Sequence, residues 1–155
     1  MRTCSRTLPV LATALWLGLC GCSRTKTEQG AVVQTRAADP AKLEVEAITL
    51  AREAARENKR VLVYFHADWC APCHRIGKAF ERASNRPTFA NWVLVQVNVD
   101  ALPGGPALGI QFETIPFFVK LDPSGKAIGT LDGQAFGSEP ADEKVDEVFR
   151  NFLRT

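Results

Sequence analysis

Five consecutive apolar residues, Val61-Leu62-Val63-Tyr64-Phe65, run almost directly into Trp69-Cys70-Ala71-Pro72-Cys73-His74, and no other stretch restricts the fold of this chain as tightly. A continuous β-branched and aromatic run reads as a strand covered on both faces. Pro72 favours a helix that begins at about Ala71, because first-turn N–H groups have no intrahelical partner and a residue lacking that donor costs little there. Strand followed by helix puts the Cys70 sulfur at the positive end of a helix dipole, with Cys73 within disulfide reach. Such a pair is suited to disulfide exchange, in which the thiolate attacks. Lowering a thiol pKa from about 8.5 to about 7 takes roughly 2 kcal/mol, whereas a helix terminus supplies about 0.3–1. The remainder is expected from first-turn backbone N–H groups and from the Cys73 thiol, which can donate to the Cys70 sulfur. A structural zinc site takes four ligands, and beyond the two cysteines the folded part offers only His66 and His74, so no metal is expected.

The N-terminus has a different character. Arg2 and Arg6 precede a 12-residue apolar stretch, Leu8 to Leu19, and then Leu19-Cys20-Gly21-Cys22. Twelve residues are too few to span a bilayer, which needs about 20, and the pattern reads as an export signal over residues 1–21. The tetrapeptide resembles a bacterial lipobox, which implies acylation of Cys22 and membrane attachment through that lipid. Residues 22–40 are polar and without aromatics, and read as a lipid-anchored flexible tether. With Cys4 and Cys20 removed and Cys22 acylated, Cys70 and Cys73 form the only pair. Removing residues 1–21 takes two arginines and no acid from 19 basic and 17 acidic side chains, leaving 17 of each. A neutral chain points to no nucleic-acid partner.

The remaining 41–155 segment is long enough for one domain. Leu43, Ala47, Leu50, Ala51 and Ala54 share one face of a helix over 41–58. A second helix, from about Ala71 to before Asn85, is expected to bury Ile76, Ala79, Phe80 and Ala83. Trp92 to Val99 reads as a second central strand, and Leu102-Pro103-Gly104-Gly105-Pro106 as a loop. Phe117–Leu121 and Ala127–Leu131 flank Asp122-Pro123-Ser124-Gly125 as a hairpin. A last helix from about Pro140 aligns Val145, Val148, Phe149, Phe152 and Leu153. The succession predicts an α/β fold, a central mixed β-sheet flanked by helices.

The segment Phe65-His66-Ala67-Asp68-Trp69-Cys70-Ala71-Pro72-Cys73, with Thr114-Ile115-Pro116 about forty residues on, resembles the thioredoxin-like family over most of residues 59–154. The resemblance implies a thioredoxin-like fold, catalysis by Cys70 and Cys73 without a dissolved cofactor, and a cis Pro116 beside them. Ile115 would offer its backbone to the substrate peptide, with Trp69 and Pro72 as further contact or support residues. Thioredoxins usually carry a buried aspartate six residues before the first cysteine, a nearby lysine on the next strand and a proline kinking the active-site helix. Here those positions hold Tyr64, Gln96 and Lys78. The base for Cys73 is therefore open among His66, Asp68, His74 and water. His66 reads either as a pKa tuner or as packing beneath Trp69. Asp68 should oppose thiolate formation, and His74 should face solvent or a partner.

The run from Phe80 to Asp100 looks most like envelope thioredoxin-like modules, including the periplasmic domain of the transmembrane thiol reductase. The expectation is a monomeric, lipid-anchored thiol-disulfide oxidoreductase of the cell envelope, facing the periplasm or extracytoplasmic space. It would mainly reduce disulfides of envelope proteins, with electrons from a membrane thiol donor. Three alternatives stand beside it: a disulfide oxidase using the same pair, a copper-handling lipoprotein of thioredoxin fold, and a noncatalytic binding lipoprotein.

Overall fold

Side chains alternate between the two faces of a strand, so the apolar run 61–65 has to be covered from both sides. The computed structural model describes residues 34–104 and 107–154. It contains five strands, β1 (Gln34–Ala37), β2 (Arg60–His66), β3 (Trp92–Asn98), β4 (Phe117–Leu121) and β5 (Ala127–Asp132). They form one sheet in the order β1-β3-β2-β4-β5. β3 pairs parallel with β1 and β2, and β4 pairs antiparallel with β2 and β5, so the sheet is mixed as expected.

Val61, Val63 and Phe65 face one side, where Leu43, Ala47, Ala51 and Ala54 of helix α1 (Leu43–Arg56) cover them. Leu62 and Tyr64 face the other, beneath α2 (Ala71–Gly77), α3 (Arg86–Phe89) and α4 (Asp142–Leu153). Phe149 of α4 anchors that second layer, its ring centroid 5.2–5.5 Å from those of Phe80, Phe89, Phe118 and Phe136. Full burial of one such side chain contributes about 1.5–3 kcal/mol. Lys120 is also buried, its Nζ donating to the Phe152 carbonyl at 2.9 Å and so tying β4 to the end of α4. The 122–125 turn closes as expected, with Gly125 at φ +86° and its N–H donating to the Asp122 carbonyl at 2.9 Å.

Two expectations need correction. Gln34–Ala37, read as tether, is an edge strand, with Gln34 opposite Val93 and Ala37 opposite Gln96. Thr35, Arg36 and Ala37 are exposed, and the strand is held by main-chain pairing and an Arg36–Glu53 ion pair at 3.5 Å, for which a polar sequence suffices. Asp39 then caps a short 3₁₀ turn, Pro40–Lys42, accepting from the Ala41 N–H at 3.0 Å. Second, α2 stops at Gly77 and continues as 3₁₀ turns over Lys78–Phe80 and Ala83–Asn85. The change of pitch leaves Ala83 exposed and buries Asn85, whose side-chain amide donates to the Ala79 carbonyl at 2.9 Å and to Asp146 at 2.7 Å. The proposed signal (1–21), Cys22, residues 23–33 of the tether, and Gly105 and Pro106 of the loop lie outside the described residues.

Candidate active site

β2 ends at His66, and four residues later the chain enters α2 with Cys70 as its N-cap. Cys70 is extended (φ −82°, ψ 94°), the conformation that turns a capping side chain back over the first helical turn. Its sulfur accepts the Cys73 N–H at 3.2 Å and is bonded to the Cys73 sulfur. Pro72 lies within the first turn, where its missing N–H leaves no carbonyl unpaired. Across from the disulfide, the Ile115–Pro116 peptide is cis, and the Ile115 carbonyl oxygen lies 3.9 Å from the Cys70 sulfur. The two motifs, 45 residues apart, thus meet at one point.

Exposure does not distinguish the two cysteines. Cys70 is 3% accessible and Cys73 is 2%. What separates them is the cap: only Cys70 receives a first-turn N–H and faces Ile115.

The surrounding side chains are fixed from several elements. Trp69 is 69% exposed, with its indole N–H shared between the two carboxylate oxygens of Asp100 at 3.0 and 3.1 Å. His74 lies on the exposed side of α2, and its Nε2 is 2.6 Å from the Asp68 carbonyl. A carbonyl only accepts, so that nitrogen carries the proton. The His66 ring stacks on Tyr64 with centroids 5.1 Å apart. Burial pushes the His66 pKa down, with His74 adding to the fall, against an upward pull from Asp68. Tyr64 occupies the position of the family's aspartate, and its hydroxyl donates to the Cys73 carbonyl at 2.9 Å. Burial drives the Tyr64 pKa far up, so the phenol stays protonated and cannot act as a base. Among the described residues, no group of three or more His, Cys, Asp and Glu side chains is placed to hold a metal ion.

Sequence reasoning missed the support for the Thr114–Pro116 loop. The Thr114 hydroxyl donates to Asp132 at 2.7 Å, and Asp132 also caps the following turn by accepting from the Gln134 N–H at 2.8 Å. Gly133 lies directly under the proline: a Cβ there would be 2.9 Å from Pro116 Cδ and 3.0 Å from the Pro116 oxygen. The Asp132-Gly133 pair after an alternating strand was the available signal. Gly133→Ala is expected to cost about 1–3 kcal/mol by overpacking and to lower kcat/KM for a peptide disulfide. A urea midpoint and a turnover rate both equal to wild type would show that the contact has no consequence.

The thioredoxin family profile matches residues 42–139, from the start of α1 to the loop before α4. The chain belongs to the thioredoxin family. It is 35% identical over 60 residues to thioredoxin-2 of Dictyostelium discoideum, a match covering 39% of this chain and 65% of that protein. To thioredoxin of Ictalurus punctatus it is 44% identical over 43 residues, covering 28% of this chain and 40% of that one. The chain thus spans well under the full length of the thioredoxins it matches. Among solved structures, a disulphide isomerase from Xylella fastidiosa Temecula1 superposes with a TM-score of 0.54 at 20% identity, covering 74% of this chain and 91% of that one. The thioredoxin pre-protein of Schistosoma mansoni gives 0.52 at 24% identity, covering 77% and 98%. At these identities the likeness is one of fold. Family and fold together make this a thioredoxin-like redox protein with a CxxC-type Cys70–Cys73 pair.

Proposed function

We propose that this thioredoxin-family chain is a lipid-anchored thiol-disulfide oxidoreductase of the cell envelope that mainly reduces protein disulfides. The single observation that carries the chemistry is the Cys70 sulfur at the N-cap of α2, facing the Ile115 carbonyl. In the dithiol state, the Cys70 thiolate attacks one sulfur of a substrate disulfide. A Cys70–substrate disulfide forms and the other substrate sulfur leaves as thiolate. Cys73 then attacks the Cys70 sulfur, closing the 70–73 disulfide and releasing the second substrate thiolate. The substrate gains two electrons and the pair loses two, so each cycle needs a dithiol donor, which we place at the membrane. An extended substrate segment beside Cys70 would lie along the Ile115 backbone, with Trp69 and Pro116 at its flanks.

Ala71 and Pro72 put no charge or histidine between the cysteines, and Asp68 is two residues before Cys70. Both features disfavour the extreme thiolate stabilisation of strong oxidants, whose attacking pKa is about 3.5. The expected potential is nearer about −270 mV than about −120 mV, and the gap of about 150 mV corresponds to about 7 kcal/mol for two electrons. Equilibration with glutathione measures it. A value above about −170 mV turns the reading into that of an oxidase while leaving the cysteine roles in place.

Envelope attachment is supported by Arg2, Arg6, the short apolar stretch and the Leu19-Cys20-Gly21-Cys22 junction. No helix among the described residues is long and apolar enough to cross a membrane. Mass spectrometry of the membrane fraction should find a chain beginning at acylated Cys22. A soluble processed form, or a Cys22→Ala chain processed and membrane-bound as before, rejects the anchor.

A further inference from the structure

The resolving step leaves one proton without an acceptor. Cys73 must lose it to attack, and the family's aspartate position holds Tyr64, a protonated phenol already donating to the Cys73 carbonyl. A cleft of about 530 Å³ opens between β2, β3 and α2 and reaches Cys73. Its titratable or charged lining groups are Tyr64 and His66 of β2, Asp68 in the following loop, Cys73 and His74 of α2, and Lys78 and Glu81 beyond it. β3 and β1 present neutral Gln96 and Thr35.

These groups are not equivalent. His74 has its Nε2 proton committed to the Asp68 carbonyl, and Lys78, Glu81 and Asp68 are exposed. His66 is half-buried and held face-on by the Tyr64 ring at 5.1 Å, and neither of its ring nitrogens has a hydrogen-bond partner among the described residues.

We propose that His66 takes up and returns the proton of the Cys73 thiol through water in the cleft that both residues line. The inference rests on the thiol-exchange function proposed above. In resolution, the Cys73 S–H proton passes to the imidazole as the Cys73 sulfur bonds to Cys70 and the Cys70–substrate bond breaks. The imidazolium then gives its proton to solvent or to the departing thiolate. When a donor dithiol reopens the pair, the same ring reprotonates Cys73. Burial favours the neutral imidazole needed as acceptor, and Asp68 limits that effect by favouring the cation.

Stopped-flow mixing of the full-length reduced protein with an aromatic disulfide that releases a coloured thiolate separates the steps. The first release reports Cys70 attack and the second reports resolution by Cys73. His66→Gln is expected to slow the second phase about tenfold or more at pH 7 and to leave the first within about twofold. The wild-type second phase should rise through an inflection below the ordinary imidazole value of about 6.5, and His66→Gln should lack it. Asp68→Asn retains the ring and should move that inflection to lower pH. An unchanged second phase in His66→Gln, equal slowing of both phases, or an Asp68→Asn profile identical to wild type overturns the proposal. Absence of any first phase in the wild type removes the thiol-exchange function itself, a result distinct from those three.

Discussion

Cells producing the Cys73→Ala chain should accumulate it in mixed disulfides with its substrates, while Cys70→Ala should trap none and lose turnover to the uncatalysed background. The expectation follows from the cap rather than from exposure, since both sulfurs are buried in the closed disulfide. Only Cys70 receives the Cys73 N–H and lies beside the Ile115 carbonyl where a substrate strand can align. Without Cys73 the covalent intermediate has no internal exit, and its lifetime is set by external thiols. Non-reducing electrophoresis followed by mass spectrometry reads the adducts. Equal trapping by the two single variants would reverse the assignment.

Asp146→Ala is expected to destabilise the fold more than any other single charge removal described above. The Asp146 carboxylate accepts from Arg82 and from the Asn85 amide, and Arg82 also reaches Asp142 at 3.0 Å. These contacts pin the turns after α2 against α4. Removing the acid leaves a largely covered guanidinium and a buried amide short of partners, a loss of about 3 kcal/mol. At about 4 °C per kcal/mol, the melting temperature should fall by about 12 °C. Burial alone would raise the Asp146 pKa, but the Arg82 and Asn85 hydrogen bonds outweigh it and the net shift is downward. A depressed carboxylate stabilises the fold fully above its unfolded value of about 3.9, and that contribution is lost as pH falls through the lower folded value. Wild type should therefore lose stability on acidification below about pH 4, and Asp146→Ala should lose less over the same interval. A melting temperature within about 2 °C of wild type would show that the cluster contributes little.

The parts of this fold readable in the sequence are those where period and burial coincide. The α1 stripe of Leu43, Ala47, Ala51 and Ala54 is buried as its spacing requires, and Val61–Phe65 is covered on both faces. β1 escaped notice because Gln34-Thr35-Arg36-Ala37 has no apolar period; an edge strand is held by backbone bonds that composition does not reveal. The early end of α2 was hidden because Asn85 reads as a surface residue and is buried only through Ala79 and Asp146, the latter 61 positions away. At the site, the two cysteines and Pro116 were legible from local motifs. The departure at Tyr64 was visible too, but its partner is a main-chain carbonyl that no side-chain pattern encodes. Thr114 and Asp132 meet across 18 residues, and Gly133 matters for the room it leaves under Pro116.

The direction of β1 sets which way the redox centre looks. Gln34 is in register with Val93, and Val93 with Val61, so the chain enters the sheet at the end where β2 begins. Cys70 lies past the opposite end, beyond His66, five residues and about 17 Å further along the strand direction. Eleven residues separate Cys22 from Gln34, so even a fully extended connection spans no more than about 40 Å. A domain secured through Cys22 would be attached at the end of the sheet away from its disulfide. Substrates arriving from the aqueous side would meet the sulfur first. A donor embedded in the same bilayer would have to project its own thiols across the thickness of the domain, or the domain would have to tip over to meet them.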